Sequence, residues 1–98
     1  MGEGERELGQ ILIKGFISTI KELNPLPKKI IFINSGVKAA VNEDIIFYLK
    51  ELANKDIEIL LCGTCVDYYG LQEEVEIGEI SNMYEIADSL NRGEVVRV

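Results

Sequence analysis

The chain has 98 residues, of which 47% are hydrophobic and 28% are charged, a size and composition typical of one soluble globular domain. Its 17 acidic residues outnumber its 10 basic ones, and the net charge of −7 argues against sequence-independent nucleic-acid binding and against adhesion to anionic membranes. No apolar run reaches the roughly 20 residues of a membrane-spanning helix, and the polar start MGEGERELGQ is no signal peptide, so we expect a cytoplasmic protein with reduced cysteines.

The first third of the chain predicts a helix followed by a strand. Apolar residues recur at helical spacing through residues 5–23. Pro25 and Pro27 end that pattern, because proline disfavours helical geometry before it and lacks an amide donor. A buried strand is predicted at the β-branched and aromatic run KKIIFIN, residues 28–34, and a turn at SGV follows it.

The middle third predicts a second helix and a second strand. The helix is expected to begin after Asn42, whose side chain suits an N-cap, with Glu43 and Asp44 favourably placed in the first turn. The strand is predicted at IEILLC, residues 57–62. A short helix is indicated in VDYYG, closed by Gly70.

The last third adds a strand, a helix and a strand. The third strand is predicted at VEIG, residues 75–78, and the last at EVVRV, residues 94–98. The helix between them lies in SNMYEIADSLNRG, with Ser81 or Asn82 as its cap. Strands that alternate with helices predict an α/β fold with a mostly parallel sheet. Because the strands are almost continuously apolar, we expect helices on both faces of the sheet.

The loops that follow the strands are the expected place for a functional site, since ligands bind beyond the carboxyl ends of strands in open α/β sheets. These loops are NSGV, CGTC and GEISN. Asn34, Ser35 and Gly36 could bind an anion through their backbone amides, or could form an ordinary turn in which Gly36 supplies a positive φ. Ser81 and Asn82, as helix caps, could face the same crevice.

Cys62 and Cys65, in CGTC, are the only cysteines, and the chain has no histidine. A zinc site needs four ligands and could be completed only across a dimer, and a domain of this size needs no structural disulfide. The pair could be two small buried hydrophobes, although Gly63 and Thr64 suit a turn better than a core. It could also be reactive, with a Cys62 thiolate stabilised by the amides of a following helix and Cys65 as the resolving thiol. The reactive interpretation requires a Cys62 sulfur that another molecule can reach.

Three stretches resemble a known family. LGQILIKGFISTIKELNPLPKKIIFINSGVK, LLCGTCVDYYGL and EIGEISNMYEI are similar to the C-terminal domain of YedF-type proteins, which are linked to selenium metabolism. That domain belongs to the DsrE-like superfamily (DsrE, DsrF and TusD) of sulfur-relay proteins. The resemblance implies a single three-layer α/β/α domain over residues 1–98, in which the family's usual first strand is missing ahead of the first helix.

The resemblance also implies a function for the cysteines. In sulfurtransferase members of the superfamily, a cysteine closes a strand and a glycine follows eight residues on, as Cys62 and Gly70 do here. Cys62 therefore looks like the persulfide-carrying position, and Cys65 like an additional thiol. The residues expected to bind around these two thiols are Asn34, Ser35, Gly36, Gly63, Thr64, Ser81, Asn82 and Met83.

The partner implied by the resemblance is a sulfur donor or acceptor protein, such as a TusA-like domain, and no cofactor is implied. Small domains of this superfamily commonly assemble, so a homo-oligomer is expected. The alternative is a non-catalytic regulatory or scaffolding domain that docks a TusA-like partner and does not use its thiols.

Overall fold

Four strands and five α-helices alternate through the described part of the chain. The structure is a computed structural model, and it describes residues 4–93 and 95–98. The strands are β1 (Lys29–Phe32), β2 (Glu58–Cys62), β3 (Glu79–Ser81) and β4 (Val95–Arg97). The helices are α1 (Arg6–Ile20), α2 (Val37–Ala40), α3 (Glu43–Ala53), α4 (Gly63–Tyr69) and α5 (Met83–Arg92). Two 3-10 turns lie at Asn34–Gly36 and Gln72–Glu74.

The strands form one sheet in the order β3-β2-β1-β4, and every neighbouring pair is parallel. In the register, Phe32 of β1 pairs with Leu61 of β2, and Cys62 pairs with Ser81 of β3. The carboxyl ends of these three strands therefore meet at one edge of the sheet. The predicted α/β class and parallel sheet are confirmed.

Successive strand residues point to opposite faces of the sheet, and each face buries its own cluster. Ile30 and Phe32 of β1 face the larger cluster, which α1, α2, α3 and α4 cover. Ile31 faces the smaller cluster on the other side, where Ile86 of α5 packs against Leu60. Helices thus cover both faces, and the predicted three layers are confirmed.

The caps of the helices lie at residues that the sequence indicates as caps. The Asn42 side chain accepts a hydrogen bond from the amide of Asp44 at the start of α3, as predicted. The Asn82 side chain accepts one from the amide of Glu85 at the start of α5, so Asn82 is the cap of that helix. Gly70 closes α4 with φ +65°, a left-handed conformation that glycine adopts without steric cost.

The predicted third strand at residues 75–78 is wrong, because β3 begins only at Glu79, directly after the predicted range. Val75 and Ile77 instead pack, partly buried, as loop residues against the larger cluster. Gly78 has φ +101° and lies against Ile59, leaving no room for a side chain. GEISN is therefore mostly strand, and only Asn82 separates β3 from α5.

Two further differences concern short elements. The predicted turn after β1 continues into α2, whose four residues are too few to give a clear helical period. In the last strand, Glu94 lies outside the described residues, and β4 itself covers Val95–Arg97. Over residues 4–93 and 95–98, no helix is long and apolar enough to cross a membrane.

Candidate functional site

The two cysteines lie where β2 passes directly into α4. Cys62 is the last residue of β2, and α4 begins at Gly63. The expectation that CGTC forms a turn is therefore wrong, because all of its residues after Cys62 are helical. The eight-residue spacing from Cys62 to Gly70 has a simple structural meaning: it spans the seven residues of α4 and ends on its left-handed cap.

Cys62 is buried, with only 2% of its surface exposed. Its side chain shares the smaller cluster with Ile31, Leu60 and Ile86. The alternation of β2 causes this burial, since Leu60 and Cys62 point to the same face and α5 covers that face. The expectation that another molecule can reach the Cys62 sulfur is therefore wrong for this structure.

Cys65 is the more accessible thiol. It is half-buried on α4 and contacts the clusters on both faces of the sheet. Its sulfur accepts a hydrogen bond from the backbone amide of Asn34, with 3.0 Å between nitrogen and sulfur. The Cys62 thiol lies close enough to raise the pKa of Cys65, and both cysteines are free thiols. The site is thus a pair of neighbouring thiols, of which Cys65 is the more accessible.

The protonated thiol is favoured at Cys65. Burial raises the pKa of Cys65 above its ordinary value of 9.0, because the thiolate is poorly solvated there. The hydrogen bond and the charge of Cys62 raise that pKa further, whereas the Asn34 amide lowers it by donating to the sulfur. The net direction is upward, and Cys65 rests as a neutral thiol at neutral pH.

The 3-10 turn Asn34–Gly36 places the amide that contacts Cys65. Asn34 has φ +56°, in the left-handed region that asparagine tolerates better than most residues. Gly36 has φ −58°, so the idea that it supplies a positive φ is wrong. Gly36 is instead required by close packing, because a Cβ there would lie 2.8 Å from the Val98 carbonyl carbon. Ser35 is exposed beside them.

Gly63 and Ser81 bring α4 and β3 into direct contact. A Cβ at Gly63 would lie 3.0 Å from the Ser81 carbonyl oxygen and 3.2 Å from the Ile80 side chain. The buried Ser81 hydroxyl donates to the Glu85 carboxylate of α5. Since Ser81 pairs with Cys62 across the sheet, β3 closes the buried side of the thiol pair.

The remaining predicted residues lie around the pair but do not bond to it. Thr64 and Met83 are exposed, and the side chain of Asn82 serves as the cap of α5. Within residues 4–93 and 95–98, the protein group that donates a hydrogen bond to a thiol from outside the pair is the amide of Asn34. The structure thus brings Asn34, Cys62 and Cys65 together, and Ser81 lies beside Cys62 in the sheet, whereas Ser35, Thr64, Asn82 and Met83 are exposed.

Lys38 is a neighbour of the site that our sequence analysis did not consider. Its amine lies 4.3 Å from the centroid of the Tyr69 ring, in a cation–π contact that joins α2 to α4. Tyr69 packs edge-to-face on Tyr68. Lys38 is part of the stretch NSGVK, but its contact with Tyr69 forms only in the folded chain and cannot be predicted from the sequence pattern.

Two surface cavities lie elsewhere on the molecule. One, of about 360 Å³, lies at the edge where the strands begin and is lined by Lys28, Lys29, Ser89, Arg92, Gly93 and Val95. The other, of about 410 Å³, lies between α1 and the start of α3. Neither is lined by a cysteine. Among residues 4–93 and 95–98, no group of three or more Cys, Asp, Glu or His could hold a metal ion.

Comparison with known proteins gives one family. The model of the DsrE/DsrF-like family matches residues 14–97, a range that runs from the second half of α1 to the end of β4 and includes both cysteines. No curated protein and no solved structure matches the chain.

Proposed function

The chain belongs to the DsrE/DsrF-like family, a membership that indicates a sulfur-relay-like domain, and from this premise we propose that the Cys62–Cys65 pair carries sulfane sulfur between proteins. We assign the two thiols different tasks. Cys65 meets the donor and the acceptor, and Cys62 is the second, buried thiol.

One observation carries this proposal: Cys65 is half-buried, its sulfur accepts a hydrogen bond from the Asn34 amide, and the Cys62 thiol is its neighbour. A donor can approach Cys65 but not Cys62, which has 2% exposure. The amide of Asn34 stabilises negative charge on the Cys65 sulfur as a persulfide forms and is transferred. Cys62 is close enough to react with a group attached to Cys65.

The proposed loading step is thiol–persulfide exchange. The Cys65 thiolate attacks the outer sulfur of a donor persulfide, the donor's S–S bond breaks, and the donor leaves as a thiolate. Cys65 then holds the sulfane atom as a persulfide. An acceptor thiolate attacks that outer sulfur in turn, which returns Cys65 to its thiol form and transfers the atom without any net oxidation.

When no acceptor is present, Cys62 reacts with the Cys65 persulfide instead. Its thiolate attacks the inner sulfur of the Cys65 persulfide, the S–S bond of the persulfide breaks, and hydrosulfide leaves. A Cys62–Cys65 disulfide remains. The two cysteine sulfurs are oxidised and the sulfane atom is reduced, so the electrons balance without an external oxidant.

The partner we propose is a thiol-bearing relay protein of the TusA type, as the resemblance to YedF-type domains implies, with selenium as an alternative to sulfur. We also propose that the domain, residues 1–98, forms a homo-oligomer in the cytoplasm. Light scattering at micromolar concentration tests the assembly. A species of only 11.0 kDa would contradict it.

Mass spectrometry tests the thiol chemistry. The chain is incubated with a cysteine desulfurase and cysteine, and its intact mass is compared with that of Cys62→Ser/Cys65→Ser. We expect the wild type to gain sulfur atoms or to lose two hydrogens as a disulfide, with sulfide released, and the double variant to do neither. An unchanged wild-type mass would reject sulfur carriage.

A second candidate is a docking domain that uses no thiol chemistry. The burial of Cys62 and the raised pKa of Cys65 favour it, because both slow a nucleophilic thiol. In that case the double variant binds a TusA-like protein as tightly as the wild type, and neither protein gains sulfur.

A further inference from the structure

Helix α1 has a second apolar face, opposite the one that packs on the larger cluster. The packed face is buried through Ile13, Ile17 and Ile20. Leu8, Ile11 and Leu12 are 53%, 68% and 50% exposed, on the side of the helix that points away from that cluster. Their spacing of three and four residues makes them neighbours on the helix surface. We call these three side chains the outer face of α1, and exposed apolar residues that cluster in this way mark interaction sites.

Two side chains of opposite charge border the outer face. Glu7 and Lys14 are exposed, and both line the cavity between α1 and α3 together with Ile11. Seven residues are close to two helical turns, so the two charges lie on the same side of the outer face, about 10 Å apart along the helix axis. Within residues 4–93 and 95–98 neither is in a salt bridge, although Asp44 of α3 lines the same cavity. Both charges can therefore pair with a second molecule.

The order of these charges along α1 is self-complementary for an antiparallel helix pair. Leu8 and Ile11 are spaced like the a and d positions of a coiled coil, and Glu7 and Lys14 then occupy successive g positions. A two-fold axis near residue 10 would set Glu7 of each copy opposite Lys14 of the other, and Leu8 opposite Ile11. A parallel pair would instead set each charge against its own copy, which is repulsive. The outer face thus fits a second copy of itself in one orientation.

We propose that two copies of the chain associate through the outer face of α1, with their α1 helices antiparallel. This inference rests on the homo-oligomer of the proposed function and names its interface. Leu8, Ile11 and Leu12 supply the apolar contact, and two symmetric Glu7–Lys14 pairs fix the orientation.

The size of the contact predicts its strength. Helix α1 has 15 residues and is therefore about 22 Å long. A contact between two such helices is smaller than the roughly 1,600 Å² of a standard stable interface. We therefore expect a reversible dimer, with a dissociation constant on the order of micromolar.

Charge reversal with the whole chain tests the orientation. Dissociation constants are measured by sedimentation equilibrium at low ionic strength, where such pairs are least screened. Glu7→Lys and Lys14→Glu each place like charges opposite one another at both symmetric positions, so each should raise the dissociation constant about tenfold. The double variant Glu7→Lys/Lys14→Glu restores opposite charges and should dissociate within about threefold of the wild type.

A mixture of the two single variants gives the sharpest result. Glu7→Lys has a lysine at both positions and Lys14→Glu has a glutamate at both, so each repels itself and attracts the other in the antiparallel pair. An equimolar mixture should therefore form a heterodimer at concentrations at which each variant alone is a monomer. High salt should reduce this difference.

Two further variants control for apolar contact and for net charge. Ile11→Gln removes an apolar side chain from the centre of the outer face and should weaken the dimer. Glu79→Lys changes the net charge as Glu7→Lys does, but Glu79 pairs with Leu60 in the sheet and so lies on the face that α5 covers. Glu79→Lys should leave the dissociation constant unchanged within about twofold. Circular dichroism checks that each variant is folded.

The outcomes separate this interface from the rest of the proposed function. A wild type that sediments as an 11.0 kDa monomer at every concentration rejects both the homo-oligomer and this interface, whereas sulfur loading is measured independently by mass spectrometry. If an oligomer forms but is insensitive to the α1 variants, or if Glu79→Lys weakens it as much as Glu7→Lys does, the homo-oligomer stands and the α1 interface is rejected. Failure of the mixed variants to associate contradicts the antiparallel orientation.

Discussion

The backbone amide of Asn34, just beyond the end of β1, donates a hydrogen bond to the sulfur of Cys65 on α4 across 3.0 Å. This contact joins two strand ends of the sheet and contributes the one influence that lowers the pKa of Cys65. Asn34 makes this contact from a left-handed conformation, with φ +56°.

Substitution of Asn34 should affect stability and the thiol together. An ordinary L-residue in the left-handed region costs roughly 1–2 kcal/mol, and glycine avoids this cost. We therefore expect Asn34→Ala to lower the free energy of unfolding by about 1 kcal/mol, and Asn34→Gly to lower it less. We also expect Asn34→Ala to raise the pKa of Cys65 further, as measured by the ultraviolet absorbance of the thiolate, because the amide shifts away. An Asn34→Ala protein that titrates like Asn34→Gly would argue against this role of the backbone.

Alkylation should distinguish the two cysteines. Iodoacetamide should modify Cys65 of the native protein well before Cys62, since only Cys65 is half-exposed. The rate at Cys65 should continue to rise with pH above 9.0, because burial raises its pKa above that value. In Cys62→Ala this rise should occur at lower pH, since Cys62 raises the pKa by its hydrogen bond and its charge. Peptide mapping that finds Cys62 modified first would overturn the assignment of the accessible thiol.

The raised pKa also predicts how stability varies with pH. A thiol whose pKa is higher in the folded state favours folding fully below its unfolded pKa, and this contribution is lost as the pH rises through the folded pKa. The free energy of unfolding, measured with urea, should therefore fall more steeply above pH 9.0 for the wild type than for Cys65→Ser. The pKa of Lys21, raised by its hydrogen bond to Glu51, contributes equally in both proteins and cancels. Parallel stability curves would show that the environment of Cys65 does not penalise its thiolate.

Substitution by alanine should have opposite effects on stability at two of the glycines. A Cβ at Gly36 would overlap the backbone of Val98, and we expect Gly36→Ala to destabilise the protein by about 1–3 kcal/mol, the usual cost of overpacking. Gly15 lies within α1 with nothing within 4 Å of its added Cβ, so Gly15→Ala should stabilise by roughly 0.5–1 kcal/mol. Thermal unfolding measures both changes, and destabilisation by Gly15→Ala as large as that by Gly36→Ala would contradict the packing argument.

The sequence predicts the fold well wherever a local pattern decides the structure. Residues 5–23 have a clear helical period and contain α1, and the cap of α3 is visible in Asn42 with its following acids. The third strand is predicted too early because Val75 and Ile77 alternate with polar residues, as strand residues do. In the structure both are loop residues that pack against the larger cluster, and Gly78, with a positive φ, precedes the strand.

The place of the two cysteines in the fold was predicted, but their accessibility was not. The place of Cys62 at a strand end follows from the apolar run before it. Its burial depends on α5, which covers that face from about 20 residues further along the chain, and no local pattern reports such a contact. The same holds for the Asn34 amide, since the pairing of residues 34 and 65 arises only when β1 and β2 align.

The most direct test of the account compares the two single variants after incubation with a cysteine desulfurase and cysteine, by intact mass and by sulfide release. We predict that Cys62→Ser accumulates one sulfur atom on Cys65 and forms no intramolecular disulfide, whereas Cys65→Ser gains nothing because Cys62 is buried. Sulfur gained by Cys65→Ser and not by Cys62→Ser would contradict the assignment of Cys65 as the thiol that meets the donor.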